Sequence, residues 1–155
     1  MNLTIAADSP DSPDVRRLLE AHLEFAHDNS PPEDVYALDA AGLRAPDISF
    51  FSARTDNGEL LAVGALRQLD ATHAEIKSMH TAVSARGRGV GRAMLLHLLE
   101  LARSRGCSRV SLETGTMEEF APARALYASA GFAPCEPFGD YRVSPNSVCM
   151  TTSLI

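Results

Sequence analysis

A chain of 155 residues has the length of one domain, and a composition of 45% hydrophobic and 22% charged residues excludes long disordered tracts. The net charge of −6 excludes an extensive basic surface, so no nucleic-acid partner is expected. The three cysteines lack C-x-x-C spacing, which argues against a zinc site or a disulfide framework, and no apolar run is long enough to span a membrane. We therefore expect a cytoplasmic protein with one domain over residues 1–155, no metal and no membrane partner.

The first 46 residues predict a strand followed by two helices. The strand covers Leu3–Ala7, and the first helix is capped by Ser12 and runs to about Ala26, because apolar residues recur there at spacings of three and four. A shorter second helix is expected after it, with Ser30 as its cap and Pro46 as its stop. Any strand that pairs with Leu3–Ala7 must therefore come after these two helices in the sequence.

An antiparallel meander follows. Ile48–Arg54 and Glu59–Leu69 are extended runs, and Asn57-Gly58 between them predicts a two-residue hairpin turn in which both residues have positive φ. His73–Val83 predicts a third long strand. Three consecutive strands joined by short turns indicate an antiparallel arrangement.

The second half predicts alternating helices and strands. A long helix covers Val90–Arg105, a strand Arg109–Glu113, a helix Phe120–Ala130 and a final strand Ser147–Leu154. With the meander, this order predicts an α+β fold whose sheet is mixed in direction.

The turn before the long helix contains three glycines and three arginines within Arg86–Arg92. A helix that begins after Gly89 directs its free N–H groups into this turn, and glycines let a ligand approach the backbone, so the turn suits an anion such as a diphosphate. A glycine-rich connection with surface arginines is the alternative interpretation of the same residues.

Nucleotide-binding motifs compete for this segment. A phosphate loop of the NTPase type needs a Lys-Ser or Lys-Thr pair after its glycines, and none follows. A dinucleotide fold needs G-x-G-x-x-G, whereas Gly87, Gly89 and Gly91 are spaced two and two, although Glu113 lies about where a ribose-binding acid would be. A nicotinamide-dependent oxidoreductase therefore remains the second hypothesis.

Two motifs resemble the GNAT superfamily of acyl-CoA-dependent N-acetyltransferases. "RGRGVG" at 86–91 is similar to the signature [QR]-x-x-G-x-[GA], and "ARALYASAGF" at 123–132 is similar to A-x-x-L-Y-x-x-x-G-F. The tail at 135–150 resembles small bacterial members. The resemblance implies a mixed, mostly antiparallel sheet of six to seven strands with about four flanking helices.

The resemblance also implies how acetyl-CoA binds as cosubstrate. Its diphosphate would lie on the segment made of Arg86, Gly87, Arg88, Gly89, Val90, Gly91 and Arg92. Its pantetheine arm would pair with main-chain groups of Met79, His80 and Thr81. A protein that binds CoA without turnover would need the same residues, so a CoA-binding sensor remains a third hypothesis.

For catalysis, the resemblance implies that Tyr127 protonates the departing thiolate, although Tyr127 also fits a purely structural place in an amphipathic helix. Glu75 is the candidate base for the amine, and an ion pair with Lys77 is the equal alternative. His80 is a second candidate base, and strand alternation places it on the face opposite Glu75. The other four histidines are expected at the surface or at an interface.

The acceptor is expected to be a primary amine of a small molecule. Its pocket is expected to be lined by Phe25, Tyr36 and Tyr141. Phe120 occupies a position where many members of the superfamily have Asn, so a polar contact is either missing or supplied by Thr114 or Glu113. The resemblance also implies that the chain can form a homodimer, because many relatives pair through their sheets or late strands.

Overall fold

A computed structural model describes residues 2–155, which form a seven-stranded sheet with helices packed on both faces. The strands are β1 Leu3–Ala7, β2 Ile48–Thr55, β3 Leu60–Gln68, β4 His73–Thr81, β5 Arg109–Gly115, β6 Ala133–Cys135 and β7 Ser147–Ser153. The α-helices are α1 Pro13–Asn29, α2 Ala40–Leu43, α3 Val90–Ser104 and α4 Ala121–Ser129. The predicted α+β fold, with a mixed, mostly antiparallel sheet and four flanking helices, is confirmed.

The strand order is β1-β2-β3-β4-β5-β7-β6. Neighbouring strands pair antiparallel except β4 and β5, which pair parallel. A parallel pair needs a crossover, and α3 supplies it. The end of β4, the turn that follows it and the start of α3 therefore lie next to the carboxyl end of β5.

Two apolar clusters hold the helices on opposite faces of the sheet. On one face α1 packs through Val15 and Leu19 against β2 and β3. On the other face α3 packs through fully buried Met94, Leu95 and Leu98. A cluster of this kind fixes a helix without specific polar contacts, because burial of each large apolar side chain contributes about 1.5–3 kcal/mol.

The hairpin between β2 and β3 is where predicted, but its turn differs. The loop has three residues, since Thr55 N–H donates to the Glu59 carbonyl (3.0 Å) and Gly58 N–H donates to the Thr55 carbonyl (2.9 Å). Positive φ occurs at Gly58 (82°) and not at Asn57. A three-residue hairpin loop requires one left-handed residue after an ordinary turn, so the prediction of positive φ at both positions is wrong.

The predicted shorter second helix is present before Pro46, but Ser30 does not cap it and it is shorter than expected. Ser30 ends α1, which continues to Asn29, and a 3₁₀ turn at Pro32–Asp34 follows. The α2 helix has a single turn and begins after Asp39, whose carboxylate accepts from the N–H of Gly42 (2.9 Å). The residue before a proline disfavours the helical region, so Ser30 and Pro31, each followed by a proline, are extended, and residues 35–39 form no regular element.

Within residues 2–155, no helix is both long and apolar enough to cross a membrane, and no cluster of three or more His, Cys, Asp or Glu side chains is placed to hold a metal ion.

Candidate active site

A cavity of about 480 Å³ opens where β4 and β5 separate. The two strands pair only over His73–Glu75 and Arg109–Ser111, and β5 continues alone with β7. Beyond that point the walls are Ile76–Thr81 of β4 and Leu112–Gly115 of β5. The separation leaves the main-chain groups along this edge of β4 without a strand partner, so they are open to a ligand.

A β-bulge interrupts β4 inside the cavity. Ala65 of β3 lies opposite Lys77, and Val63 lies opposite His80, so β4 has one residue more than β3 between these pairs. Lys77 shares the face of Glu75 by ordinary alternation, and the extra residue re-phases the alternation so that His80 lies on that face too. The prediction that His80 lies on the face opposite Glu75 is therefore wrong.

Ser78 is the residue that absorbs the bulge. Its φ is +55°, the only positive φ of a non-glycine residue among residues 2–155. Ser78 lines the cavity, and its buried hydroxyl has no hydrogen-bond partner in the protein. A strained backbone and a buried hydroxyl without a partner are typical of a site that receives a ligand.

The rim of the cavity is formed by the turn before α3. Gly87 and Gly89 have φ of +75° and +81°, and α3 begins at Val90 directly after Gly89. Glycine offers no side chain to cap the helix, so the first-turn N–H groups lack the partner that a Ser or Asp would supply. A Cβ built on either glycine meets no atom within 4 Å, which leaves an open cradle in front of these N–H groups.

Nine of the ten predicted cofactor-binding residues line this cavity, and Arg88 is the exception; the nine are Met79, His80, Thr81, Arg86, Gly87, Gly89, Val90, Gly91 and Arg92. Arg86 donates to the Thr81 carbonyl (3.2 Å), and Arg92 donates to the Ser129 hydroxyl (3.0 Å). These bonds hold two guanidinium groups at the rim. Arg88 donates to the Ser84 carbonyl (3.4 Å) on the outer side of the turn.

Tyr127 of α4 lines the same cavity and is only 7% exposed. Burial and the negative charge of Glu113 together raise the pKa of its phenol to about 12. The hydroxyl therefore keeps its proton at neutral pH. A protonated phenol in the cavity can act as a proton donor.

Glu75, the predicted base, lies below the cavity wall and is not part of its lining. Its side chain is buried, accepts a hydrogen bond from the Tyr141 hydroxyl and lies 3.7 Å from the Lys77 ammonium. Lys77 also donates to that hydroxyl (2.9 Å). The ion pair with Lys77 that the sequence left as an alternative is thus present, and Tyr141 covers Glu75.

The predicted acceptor-lining residues Phe25, Tyr36 and Tyr141 all line the cavity. The Tyr36 and Tyr141 rings pack edge to face with centroids 4.7 Å apart. Phe25 packs in the same way on Phe120, at 5.1 Å. Together these rings form an aromatic wall opposite the rim.

Phe120 takes the place of the expected Asn by packing on Gly115. A Cβ added to Gly115 would lie 2.5 Å from the Phe120 ring, so only glycine allows this contact. Thr114 and Glu113, the two suggested sources of a polar contact, both line the cavity. The aromatic side chain therefore extends the wall, and the polar groups come from β5.

Two polar features of the cavity go beyond the sequence analysis. His22 of α1 was expected at the surface or at an interface, and its Nδ1 lies 3.1 Å from Nδ1 of His80, with both rings lining the cavity. Burial lowers the pKa of each to about 4, so the pair is neutral near pH 7. The signal was available, since His22 and Phe25 are three residues apart and share one face of a helix.

Glu113, which the sequence suggested only as a source of a polar contact, is the second feature. It lines the cavity and accepts a hydrogen bond from the Ser147 hydroxyl (2.6 Å). Burial raises its pKa to about 6, against the opposing effects of Ser147 and the Lys77 charge. The alternation of Val110 and Leu112 with polar neighbours predicts a polar face on β5, but only the separation from β4 exposes that face to a cavity.

The comparisons with known proteins agree with this architecture. The family model of the Acetyltransferase (GNAT) family matches residues 13–132. The uncharacterized N-acetyltransferase YsnE of Bacillus subtilis is 50% identical over 137 residues, which are 88% of this chain and 90% of YsnE. The IAA acetyltransferase of Azospirillum brasilense is 36% identical over 154 residues, which are 99% of each chain.

Solved structures share the fold across its full length. A Klebsiella pneumoniae structure assigned to the acyl-CoA N-acyltransferases superposes with a TM-score of 0.81 at 25% identity and covers 99% of this chain and 98% of its own. A GNAT family acetyltransferase from Elizabethkingia anophelis with acetyl-CoA bound superposes with a TM-score of 0.71 at 18% identity and covers 99% of both chains.

The fold and the cavity thus define an acyltransferase scaffold, and the chain belongs to the GNAT acetyltransferase family. Within that family it is an acyl-CoA-dependent N-acetyltransferase.

Proposed function

We propose that this enzyme transfers an acetyl group from acetyl-CoA to the primary amine of a small molecule by direct attack of the amine on the thioester. The observation that carries this proposal is the single cavity lined at one end by the first-turn N–H groups of α3 and at the other by aromatic and acidic side chains. Tyr127 lines the same cavity. A cosubstrate and an acceptor that enter from the two ends would meet inside it.

The rim fits the diphosphate of acetyl-CoA. The positive end of a helix and its free N–H groups bind phosphate groups, and Arg86 and Arg92 add positive charge. The unpaired edge of β4 at Met79, His80 and Thr81 can hold the pantetheine arm as an added strand would be held. The Elizabethkingia neighbour with acetyl-CoA bound supports the choice of this cosubstrate.

The chemistry needs an acid for the leaving thiolate and a base for the amine. Tyr127 suits the acid, because its phenol is buried in the cavity and protonated. For Glu75 to act as the base, the proton would have to pass through the Tyr141 hydroxyl, since Tyr141 lines the cavity and Glu75 does not.

A small acceptor is supported by the size of the cavity, about 480 Å³, which the acyl end of the cosubstrate must share. The Azospirillum relative is an IAA acetyltransferase, which also supports a small-molecule acceptor. Formation of a homodimer stays a prediction from the family resemblance.

Thermal unfolding with added ligands provides the first test. Acetyl-CoA at 100 times its Kd should stabilise the protein by about 2.7 kcal/mol, and NAD(P)H should have no effect. Stabilisation by NAD(P)H alone would favour the oxidoreductase hypothesis.

Release of free CoA thiol, measured across a panel of primary amines, provides the second test. Amine-dependent release and an acetylated product of the expected mass would establish transfer. Binding of acetyl-CoA without release, for every amine in the panel, would instead favour the CoA-binding sensor.

A further inference from the structure

Glu113 is a partly buried carboxylate that lines the cavity from β5 and is not part of either family motif. We propose that Glu113 is the general base that takes a proton from the acceptor amine, a role that rests on the proposed acetyl transfer. Glu75 then acts as a positioning residue that holds Tyr141 and Lys77.

The position of Glu113 follows from the register of β4 and β5. Glu75 and Ser111 are the last paired residues, so Lys77 and Glu113 lie at equivalent positions two residues beyond that pair. The edge of β4 proposed to hold the pantetheine arm, which begins at Met79, lines the same cavity as Glu113. An amine that enters this cavity from the aromatic wall reaches the thioester and the carboxylate together.

Access distinguishes Glu113 from Glu75. Glu113 lines the cavity and accepts the hydrogen bond from Ser147 described above. Glu75 is outside the lining and its carboxylate accepts from Tyr141 beside Lys77. A base must come within hydrogen-bond reach of the proton it removes, directly or through one water, and only Glu113 meets this condition without a relay.

The charges around Glu113 suit a base that works near neutral pH. Burial raises its pKa to about 6, so it is ionised at pH 7 yet basic enough to accept a proton. The titratable groups that interact with it come from five other segments of the chain: Lys77, Glu75, Asp34, Tyr127, Tyr141 and Cys149. Protonation of Glu113 removes a negative charge that holds the pKa of Tyr127 high, so proton uptake by the base makes the acid a better donor.

The step balances as follows. The acceptor ammonium gives one proton to Glu113, and the nitrogen lone pair forms the C–N bond with the thioester carbon. The C–S bond breaks, its electron pair stays on sulfur, and Tyr127 protonates that sulfur. The second nitrogen proton leaves as the amide forms and returns through solvent to Tyr127, while Glu113 releases its proton to solvent.

The pH profile of kcat/KM for the full chain tests this proposal, with the panel amine that gives the fastest thiol release. In the wild type, kcat/KM should rise with pH through about 6, which gives the profile an acid limb. The Glu113→Gln variant should lack this limb, and its kcat/KM should be at least 100-fold lower. Glu118→Gln, an exposed change outside the cavity, should leave the profile unaltered. Unchanged kcat/KM and an unchanged limb in Glu113→Gln would overturn the assignment.

Two further results keep the outcome decisive. Ser147→Ala removes a hydrogen bond that lowers the pKa of Glu113, so the acid limb of this variant should move to higher pH. This test remains open even if Glu113→Gln fails to fold. An acid limb that does not move would overturn the proposal. If the wild type acetylates no amine in the panel, the proposed function itself fails. If the wild type turns over and Glu113→Gln turns over equally fast, only the base assignment fails.

Discussion

One end of the cavity is built from main-chain groups of a short contiguous segment, and the other from side chains of segments far apart in the sequence. The rim at Arg86–Arg92 uses helix N–H groups and glycines at positive φ. The acceptor end brings together Phe25, Tyr36, Glu113 and Tyr141. Under the proposed function, backbone geometry would recognise the cosubstrate, and side chains that can change without loss of CoA binding would recognise the acceptor.

The largest effect on activity is expected where the two ends of the cavity meet. Tyr127→Phe keeps the buried ring and removes the proton donor, so kcat should fall about 100-fold while the KM for acetyl-CoA stays within about twofold. Steady-state kinetics with a fixed amine measure both constants. An unchanged kcat would remove Tyr127 from the chemistry and leave it a core residue.

A smaller effect is expected for Tyr141→Phe at the acceptor end. Loss of the hydroxyl leaves the buried Glu75 carboxylate without its donor and should destabilise the protein by about 2 kcal/mol, or about 4–8 °C in Tm. The added stabilisation by acetyl-CoA should match that of the wild type, because the rim is untouched. A thermal shift by acetyl-CoA that disappears in this variant would break the separation of the two ends.

The neutral His22–His80 pair predicts a pH dependence of stability. Both folded-state pKa values are lowered from 6.5 to about 4, so the unfolded chain binds more protons between these values and stability falls as pH decreases through this range. Each histidine contributes up to about 1.4 kcal/mol per pH unit. Glu113 acts in the opposite direction between pH 4.5 and about 6, because its folded-state pKa is raised.

Urea unfolding between pH 4 and 7 measures this slope. His22→Gln should reduce it, whereas His27→Gln, at an exposed site on the same helix, should not. An identical slope in the wild type and His22→Gln would mean that the pair does not stay neutral in the folded protein.

The same contrast explains how much the sequence could predict. The rim and Tyr127 were predictable because their positions depend on local turn geometry and on motifs of adjacent residues. The meander followed from extended runs and the Asn57-Gly58 turn, and the helix at Val90 followed from periodicity. A function carried by main-chain groups leaves a readable pattern, since it requires glycine at particular positions.

The acceptor end could be predicted only in part, because its geometry depends on the tertiary fold. Phe25, Tyr36 and Tyr141 were named as lining residues, and all three line the cavity. The face of His80 was wrong because the bulge at Ser78 inserts one residue into the alternation. The exposure of Glu113 depends on where β4 and β5 separate, and no local pattern marks that residue.

Binding of acetyl-CoA to Gly89→Ala and Gly58→Ala, measured by isothermal titration calorimetry, tests most directly whether the backbone of the rim holds the cosubstrate. The two glycines are matched, with φ of +81° and +82° and no atom within 4 Å of an added Cβ, so both variants should lose about 1 kcal/mol of stability. Only Gly89→Ala disturbs the N–H groups at the start of α3, and its Kd should rise about tenfold or more while that of Gly58→Ala stays within about twofold. Equal affinities in the two variants would contradict this account.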